Sequence, residues 1–462
     1  MSRIVALIDG EHYPPVVRFA LDQLRRDHEV AAAAFLGGTE KIGATADEGA
    51  DLGTGTIADE GVYGVPLVRA ATSEQALAAA IARYRPEVVI DLSDEPVLTS
   101  ARRLELASIA LACGVAYRGA DFSFEPARDL AVPDTPVLAL VGTGKRVGKT
   151  AVSAHVARLL KAAGIDVVVL AMGRGGPATP ELIRGGEVAL TTEDLLALAH
   201  RGIHASSDNY EDAVMSRVTT VGCRRCGGGM AGATFFSNVP EGARLADALG
   251  KELIIVEGSG AAVPPVAADA AILVVGAGRG ETYVRDYFGP YRLAQADLVI
   301  LSCAEQPTAT DGDVARLREA IRAIRPDLLV VATTFRPHPI APVVGRRVFF
   351  ATTAPPAVLP LLAEHLERVH GCTVVGASPN LSDRTRLRAD MAAHAGTFDL
   401  LLTELKAAAI DVVAAVGHEV GVPTVLCDNV PLPLPGEALD GSIVAVARLA
   451  RERGAARGEV RR

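Results

Sequence analysis

Short apolar runs alternate with longer amphipathic segments through the first 130 residues of the chain. The apolar runs are rich in Val, Ile and Leu, as buried strands are, whereas the segments between them have helical composition. The predicted elements are strands at 4–8, 30–36 and 88–92 and helices at 16–26, 73–84 and 97–113. This alternation indicates a parallel sheet covered by helices. No G-x-G-x-x-G pattern follows the first strand, so the sequence does not support a dinucleotide site there.

A second α/β region begins after residues 131–136, which carry two prolines and have the composition of a linker. Its predicted strands are 137–141, 166–171, 253–256, 270–275, 298–301 and 328–332. Strand and helix alternation resumes from about residue 357, either as a small further domain or as a continuation of the second sheet. We therefore expect three regions, at 1–130, 137–355 and 356–462, with an Arg-rich C-terminus that frays.

About 80 residues separate the second and third strands of this second region. An insertion of that length builds a site or a lid in some folds and only adds helices in others. It contains Cys223-Arg-Arg-Cys226, a single C-x-x-C with no second pair nearby, so four zinc ligands are not indicated. We interpret residues 222–232 as a glycine-rich substrate loop, although Arg224 and Arg225 taken singly also fit a solvated surface.

The strongest chemical signal is the segment Gly142-Thr-Gly-Lys-Arg-Val-Gly-Lys-Thr150. It follows an apolar strand and opens a helix predicted over 150–163, which is the context that a P-loop requires. In such loops the backbone amides and the helix N-terminus surround phosphate oxygens. The pattern predicts that Lys149 reaches the β- and γ-phosphates of ATP and that the Thr150 hydroxyl binds Mg²⁺. The predicted nucleotide-binding residues are Gly142, Thr143, Gly144, Lys145, Arg146, Val147, Gly148, Lys149 and Thr150.

A second apolar strand ends in a carboxylate, within Leu253-Ile-Ile-Val-Glu257-Gly-Ser-Gly260. A carboxylate at the carboxyl end of a strand beside a P-loop can hold Mg²⁺ directly or through water. The sequence therefore predicts a metal site formed by Thr150 and Glu257. The alternative is an ordinary strand end followed by a glycine turn.

A phosphate site needs positive charge in addition to the loop, and basic residues supply it. Lys145 and Arg146 lie in the loop itself, and Arg174 follows the next strand, at the sheet edge that carries the P-loop. Two unit charges 4 Å apart repel by about 4 kcal/mol at an effective dielectric of about 20, so joining two phosphorylated molecules calls for clustered cations. We predict Lys149, Lys145 and Arg174 as catalytic residues and Arg146 and Arg174 as contacts to the substrate.

Polar residues follow the first strand, in Asp9-Gly-Glu-His-Tyr13. The carboxyl edge of a parallel sheet is the usual ligand crevice, so Asp9, Glu11 and His12 are candidate substrate-binding residues for a hydroxyl, a cation or a phosphate. The alternative is a capped turn before a helix that starts at the two following prolines.

Composition narrows the function classes. The chain has 46 Lys and Arg against 55 Asp and Glu, a formal net charge of −9, which disfavours generic binding to nucleic acid or anionic membranes. Aromatic residues are 4% of the chain and Trp is absent, which disfavours a base-stacking surface. No apolar run approaches the ~20 residues of a membrane span. The six cysteines are sparse, as in a reducing cytoplasmic setting.

Two resemblances to known families follow from these motifs. The P-loop is similar to that of dethiobiotin synthetase, which reads G-T-D-T-E-V-G-K-T, and Val256-Glu-Gly-Ser-Gly-Ala resembles the E-G-A-G-G turn of that family. The whole chain resembles the cyclic 2,3-diphosphoglycerate synthetase family still more closely. That resemblance rests on Asp9-Gly-Glu-His-Tyr-Pro14, residues 36–41, the P-loop and Met172-Gly-Arg-Gly-Gly176, and it covers most of the chain.

The resemblance implies an α/β fold with a Rossmann-like parallel-sheet domain followed by a P-loop NTPase domain of the dethiobiotin-synthetase (SIMIBI-like) type. It also implies an ATP- and Mg²⁺-dependent ligase that phosphorylates 2,3-diphosphoglycerate and closes it to the cyclic compound, with release of ADP and phosphate. We expect a small phosphorylated three-carbon acid as partner, no nucleic acid, no membrane, and a homo-oligomer, with a dimer favoured. Two alternatives stay open: a phosphoglycerate kinase without ring closure, and an ATPase switch or metallochaperone.

Overall fold

The computed structural model describes residues 1–38, 56–58, 61–127 and 130–461. Of the segment 36–41 that contributes to the family resemblance, residues 39–41 lie outside the described residues. The chain forms two compact units, Met1–Ala127 with Glu281–Gln295, and Arg128–Gly280 with Ala296–Arg462. The three boundaries expected from the sequence stay a prediction. None of the described helices is long and apolar enough to cross a membrane.

The strands are, in chain order, β1 (Ser2–Ile8), β2 (His28–Phe35), β3 (Thr56–Ala58), β4 (Leu67–Arg69), β5 (Val88–Asp91), β6 (Ala116–Arg118), β7 (Ser123–Phe124), β8 (Val137–Gly142), β9 (Val167–Gly173), β10 (Glu181–Arg184), β11 (Thr219–Cys226), β12 (Phe236–Ser237), β13 (Leu253–Glu257), β14 (Ala270–Gly276), β15 (Leu298–Ser302), β16 (Leu329–Pro339), β17 (Arg347–Ala351), β18 (Thr373–Ser378), β19 (Leu400–Glu404) and β20 (Thr424–Pro433).

The α-helices are α1 (Pro14–Leu24), α2 (Ser73–Tyr84), α3 (Ser100–Ala112), α4 (Lys149–Ala162), α5 (Thr192–His200), α6 (Asp208–Ser216), α7 (Val239–Asp247), α8 (Thr282–Arg285), α9 (Gly289–Gln295), α10 (Asp311–Ile324), α11 (Leu359–His370), α12 (Arg384–Ala393), α13 (Ala415–Val420) and α14 (Leu439–Arg461). A π-helix at Ala409–Ala414 precedes α13.

The first unit contains a sheet in the order β3-β4-β2-β1-β5-β6-β7. Its central strands pair in parallel, β1 with β2 and β5, whereas β3 and β7 join the edges antiparallel. Buried aliphatic residues on β1 pack against α1 through Val17 and Leu21. The Rossmann-like parallel sheet predicted from the sequence is therefore confirmed.

The second unit is built on a larger sheet in the order β10-β11-β9-β13-β8-β14-β15-β16-β20-β19-β17-β18. The strand β16 joins its two halves, because residues 329–332 pair in parallel with β15 and residues 333–339 pair antiparallel with β20. The C-terminal strands thus continue the second sheet. At its centre β8 is fully buried between β13 and β14, which places the segment after β8 beside the end of β13.

The strands and helices predicted around the P-loop are present, but two expectations were wrong. Residues 222–226 belong to β11, which pairs in parallel with β9, so the glycine-rich loop begins only at Gly227. Threonine, glycine and cysteine make this strand less apolar than its neighbours, so its sequence did not indicate a strand. Its pairing with β9 places it in the sheet. The Arg-rich C-terminus does not fray: it forms α14, whose Ile443 is fully buried in the P-loop core and whose Arg457 pairs with Asp269 at 2.9 Å.

Candidate active site

The segment predicted to bind phosphate forms a tight loop between β8 and α4. Gly148 adopts a φ of +84° as the residue before α4, and Arg146 has a φ of +61°, so the backbone turns sharply at both positions. The amide of Thr143 donates to the carbonyl of Val274 at 3.1 Å. The hydroxyl of the fully buried Ser302 donates to the carbonyl of Val147 at 2.7 Å and anchors the loop to β15. These contacts hold the loop in place from two neighbouring strands.

Lys149 is the first residue of α4, and its side chain folds back over the loop. It is only 8% exposed, and its Nζ donates to the carbonyl of Gly144 at 3.4 Å. Burial lowers the pKa of this amine, while the neighbouring carboxylates of Glu257 and Asp208 oppose the shift. A buried ammonium with one long hydrogen bond has donors left for an anion in the loop.

The predicted pair Thr150 and Glu257 is brought together, although 107 positions separate the two residues. The hydroxyl of Thr150 donates to Oε1 of Glu257 at 2.8 Å. Glu257 is buried at the end of β13, and no donor among the described residues reaches its Oε2. Burial and then the nearby Asp208 raise the pKa of this carboxyl.

Helix α6 adds an acidic face that the sequence analysis missed. Asp208, Glu211 and Asp212 have i, i+3 and i+4 spacing, which places them on one side of the helix. Burial and the charge of Glu257 raise the pKa of Asp212, and burial raises the pKa of Glu211 to about 8. No donor within the described ranges reaches either carboxylate oxygen of Asp212. The spacing D-x-x-E-D was the signal available in the sequence.

The C-terminal half of the sheet contributes further polar groups. The Nζ of Lys406 lies 3.1 Å from Oε1 of Glu211, which links this half to α6. The buried Glu404 accepts hydrogen bonds from the Thr353 hydroxyl at 2.7 Å and from Nδ2 of Asn429 at 2.9 Å. Lys406, Glu404, Thr353 and Asn429 lie in no recognisable motif, so the sequence analysis did not find them.

Most of these groups line one cavity of about 840 Å³ inside the second unit, whereas the fully buried Asp212 lies behind its surface. Its polar part comes from the P-loop, the segment after β9, α6 and the end of β13, and its less polar part from Phe335 and the segment before α11, including Pro355 and Val358. A volume of that size falls in the range of enzyme pockets that take substantial ligands.

Three predicted cations line this cavity, and each has a different setting. Arg174 follows β9, is exposed, and has no hydrogen bond or ion pair in the part of the chain that the structure describes. The exposed Arg146 donates from Nη2 to the hydroxyl of Ser382 at 3.1 Å. The carbonyl of Lys145 accepts from Nη2 of Arg279 at 2.6 Å.

The candidates Asp9, Glu11 and His12 belong to the first unit. Both carboxylate oxygens of the buried Asp9 are engaged, Oδ1 by the Glu11 amide at 3.1 Å and by the His12 ring at 2.8 Å, and Oδ2 by the Asp94 amide at 2.7 Å. The hydrogen bond to Asp9 raises the pKa of His12. Asp9 thus organises the turn after β1, and a role of the three residues in substrate binding stays a prediction.

The donor set beside the P-loop fits Mg²⁺. The described residues contain no cluster of three or more His, Cys, Asp or Glu side chains arranged to hold a metal by themselves. Magnesium at phosphate sites takes one or two carboxylates and completes its shell with phosphate oxygens and water. The hydroxyl of Thr150, the unsatisfied Oε2 of Glu257 and the unsatisfied oxygens of Asp212 are oxygen donors of that kind.

Comparison with known proteins matches the chain in three consecutive parts. The cyclic 2,3-diphosphoglycerate synthetase models match with their N-terminal domain at residues 3–125, their P-loop domain at 137–334 and their C-terminal domain at 339–430. The chain belongs to the cyclic 2,3-diphosphoglycerate synthetase family. The family resemblance that the sequence motifs indicated is therefore confirmed.

Individual relatives agree over nearly the whole chain. The cyclic 2,3-diphosphoglycerate synthetase of Rubrobacter xylanophilus is 50% identical over 453 residues, covering 97% of this chain and 98% of that protein. The protein of the same name from Methanothermus fervidus is 43% identical over 455 residues, covering 97% of each. A third, from Thermococcus kodakarensis, is 45% identical over 444 residues, covering 96% of this chain and 98% of that protein. The protein is thus an enzyme of the ligase class with a P-loop domain.

Proposed function

We propose that the protein uses ATP to convert 2,3-diphosphoglycerate into cyclic 2,3-diphosphoglycerate, with release of ADP and phosphate. The observation that carries this proposal is the placement of Lys149 and the Thr150–Glu257 pair at one cavity that has room for more than a nucleotide tail. Membership of the family supports the choice of substrate.

The chemistry has two balanced steps. In the first, an oxygen of one substrate phosphate attacks the γ-phosphorus of ATP, the bond from that phosphorus to the β–γ bridging oxygen breaks, and ADP leaves. In the second, an oxygen of the other substrate phosphate attacks the phosphorus that has just been activated, and the bond to the transferred group breaks. Inorganic phosphate leaves, and the ring closes through a phosphoanhydride.

The protein's task in both steps is to position groups and stabilise charge. The loop amides and Lys149 hold the β- and γ-phosphates, and the helix N-terminus adds favourable potential. Lys145, Arg146 and Arg174 offset the negative charge that accumulates when a second phosphorylated molecule enters. Attack within one molecule is fast once oriented, with effective molarities of roughly 10⁵–10⁸ M for well-aligned groups.

Thr150, Glu257 and Asp212 are the residues that would hold Mg²⁺. When bound, this ion offsets charge on the β- and γ-phosphate oxygens. Before it binds, the buried carboxyls of Glu257 and Asp212 have raised pKa values, so each retains a proton more readily than an exposed acid.

Phosphorus NMR of the reaction mixture tests the proposal. With Mg²⁺-ATP and 2,3-diphosphoglycerate we expect ADP, inorganic phosphate and a cyclic pyrophosphate in equal amounts. A phosphorylated product without free phosphate would show a kinase instead. Phosphate release that ignores phosphoglycerates and rises with a protein partner would show an ATPase switch, and either result would remove the proposed function.

Lys149→Ala provides the matched negative control. Loss of the buried Lys149 amine should lower ADP formation by a factor of roughly 10²–10³, because transition-state charge loses its stabilisation. Circular dichroism and the melting temperature check that the variant is folded. Turnover close to wild type in a folded variant would contradict the role given to this lysine.

A further inference from the structure

A short turn after β14 brings a further arginine to the phosphate loop. The turn is the 3₁₀-helix Ala277–Arg279, and Arg279 is its last residue. The side chain is exposed and lines the cavity. Its Nη2 donates to the carbonyl of Lys145 at 2.6 Å, so the guanidinium is attached to the loop itself. The sequence analysis did not find Arg279, because the residue lies outside the loop motif.

The path of this side chain depends on the space left by three glycines. A Cβ on Gly276 would lie 3.7 Å from Cδ of Arg279, so the aliphatic part of the arginine passes over that glycine. A Cβ on Gly144 would lie 3.5 Å from Nη1 of Arg279, which puts the guanidinium close to the loop backbone. A Cβ on Gly278 would come 2.7 Å from Cγ2 of Thr308, so the turn is tightly packed. Packing and one hydrogen bond therefore position the guanidinium.

Arg279 and Lys149 contact the loop at consecutive residues. The Nζ of Lys149 donates to the carbonyl of Gly144 at 3.4 Å, and Arg279 donates to the carbonyl of Lys145. The loop pattern assigns Lys149 to the β- and γ-phosphates, so a second cation at the next peptide group is within reach of the same phosphates. A carbonyl is a neutral acceptor, so the hydrogen bond to Lys145 orients the guanidinium and leaves its positive charge in place.

Arg146 has a different orientation, although it belongs to the loop. Its Nη2 donates to the hydroxyl of Ser382, before α12, at 3.1 Å. Arg279 is instead held by contacts to the loop backbone. Of these two arginines, Arg279 is therefore the better placed to act on phosphates that the loop binds.

We propose that Arg279 is a catalytic residue of the phosphoryl transfer, whose guanidinium contacts the γ-phosphoryl group as it leaves ATP. This inference rests on the proposed function, since it adds a group to the first step of that reaction. In this step the bond from the γ-phosphorus to the β–γ bridging oxygen breaks, its electron pair stays on ADP, and an acceptor oxygen bonds to the phosphorus. Arg279 gains and loses no proton. Its fork of donors suits the negative charge that the transition state spreads over the phosphoryl oxygens.

The experiment compares wild type with Arg279→Gln, Arg279→Lys and Arg448→Gln. Arg448 lies on the exposed side of α14, and its replacement removes the same charge away from the cavity. In Arg279→Gln we expect kcat for ADP formation to fall roughly 10²–10³-fold, the effect of losing one donor to transition-state charge, while the Kd of Mg²⁺-ADP stays within about threefold. Arg279→Lys should recover part of kcat, and Arg448→Gln should match wild type.

Calorimetry with Mg²⁺-ADP and aluminium fluoride separates a catalytic contact from support of the loop. Aluminium fluoride takes the place of the transferring phosphoryl group, so it should tighten the binding of Mg²⁺-ADP to wild type. Arg279→Gln should bind Mg²⁺-ADP as wild type does and lose most of this gain. An unchanged kcat would overturn the proposal. A loss of Mg²⁺-ADP affinity as large as the loss of kcat would also overturn it, because Arg279 would then only support the loop.

Hydrolysis of Mg²⁺-ATP without an acceptor keeps this test separate from the proposed function. If wild type makes no cyclic product from 2,3-diphosphoglycerate but hydrolyses ATP slowly, the proposed function fails, and the role of Arg279 is decided by the hydrolysis rates. A much slower rate in Arg279→Gln would support that role, and equal rates would overturn it. No cleavage of ATP by wild type with or without the acceptor would overturn both.

Discussion

Gly148 is the residue on which the shape of the phosphate loop depends most directly. Its φ of +84° lies in the left-handed region, and a Cβ there would come 2.2 Å from the ring of Phe335. Two separate requirements, backbone conformation and space, therefore select glycine at this position. The same ring forms part of the cavity wall, so loop shape and cavity shape are linked at one residue.

We expect Gly148→Ala to weaken Mg²⁺-ATP binding by roughly tenfold or more and to lower the melting temperature, because the clash adds to a left-handed strain of about 1 kcal/mol. Calorimetry and thermal unfolding measure both effects. Gly250→Ala is the matched control, since Gly250 has a φ of +65° with open space around its Cβ position. Gly250→Ala should lower the melting temperature through backbone strain alone and leave the affinity for ATP unchanged. Equal effects of the two variants would show that Phe335 is not the cause.

At the scale of elements, α6 and α14 hold the site from two sides. Helix α6 carries three carboxylates on one side, and burial of Glu211 and Asp212 raises the pKa of each of these two groups. Helix α14 contributes no group to the cavity lining, but its apolar side packs on β8 and β14, under the phosphate loop. One helix thus sets the charge of the site, and the other supports the strands that carry it.

The acidic face of α6 makes stability depend on pH. Burial raises the pKa of Glu211 from 4.5 to about 8, so the folded protein holds a proton that the unfolded chain releases. The free energy of unfolding should therefore fall as pH rises from about 4.5 to about 8 and level off above that. Glu211→Gln removes this proton and should flatten the slope by up to about 1.4 kcal/mol per pH unit. Urea unfolding of wild type and Glu211→Gln without Mg²⁺ at several pH values measures this dependence. If the free energy of unfolding changed with pH equally in both proteins, the raised pKa of Glu211 would be contradicted.

The packing of α14 gives a second prediction at this scale. Ile443 is fully buried against the P-loop core, so Ile443→Ala should lower the free energy of unfolding by about 2–5 kcal/mol through lost burial and a cavity. The exposed Glu452 on the same helix provides the control Glu452→Ala, which should change stability by less than about 0.5 kcal/mol. Denaturant titration measures both. A small effect at Ile443 would mean that the C-terminal helix does not support the core.

At the scale of the whole second unit, one lysine connects the P-loop half of the sheet with the C-terminal half. Lys406 follows β19, and its ammonium pairs with Glu211 on α6 at 3.1 Å. Burial by itself would raise the pKa of Glu404. The pKa is nevertheless lowered, because Lys406 and the neighbouring hydroxyl and amide donors favour the charged carboxylate. The cavity is complete only where these two halves meet, because each contributes part of its lining.

Above about pH 8, where Glu211 is charged, we expect Lys406→Met to lower the free energy of unfolding by about 1–3 kcal/mol, because Glu211 and Glu404 then lose a buried partner. Adding Glu211→Gln to that variant should recover part of the loss, since one of the two uncompensated carboxylates is removed. Urea unfolding of the two single variants and the double variant forms the cycle. Purely additive effects would contradict a direct connection through this ion pair.

The sequence by itself determined the features that depend on contiguous residues. Strand and helix periodicity located β8, α4 and their neighbours, and the Gly142–Thr150 pattern predicted a phosphate loop that the structure forms between them. These features are local, because glycine conformations, helix starts and buried strands are encoded within a few positions. The family resemblance rested on the same kind of contiguous motif.

The tertiary structure decided which distant residues share the site. Thr150 meets Glu257 across 107 positions because the strand order sets β13 beside β8. The carboxylates of α6, the ion pair of Lys406 and the hydrogen bond from Arg279 to the Lys145 carbonyl depend likewise on sheet order and register. No local pattern encodes these contacts, because the sequence of each element is compatible with several positions in the fold. Only tertiary packing decides which position the element occupies.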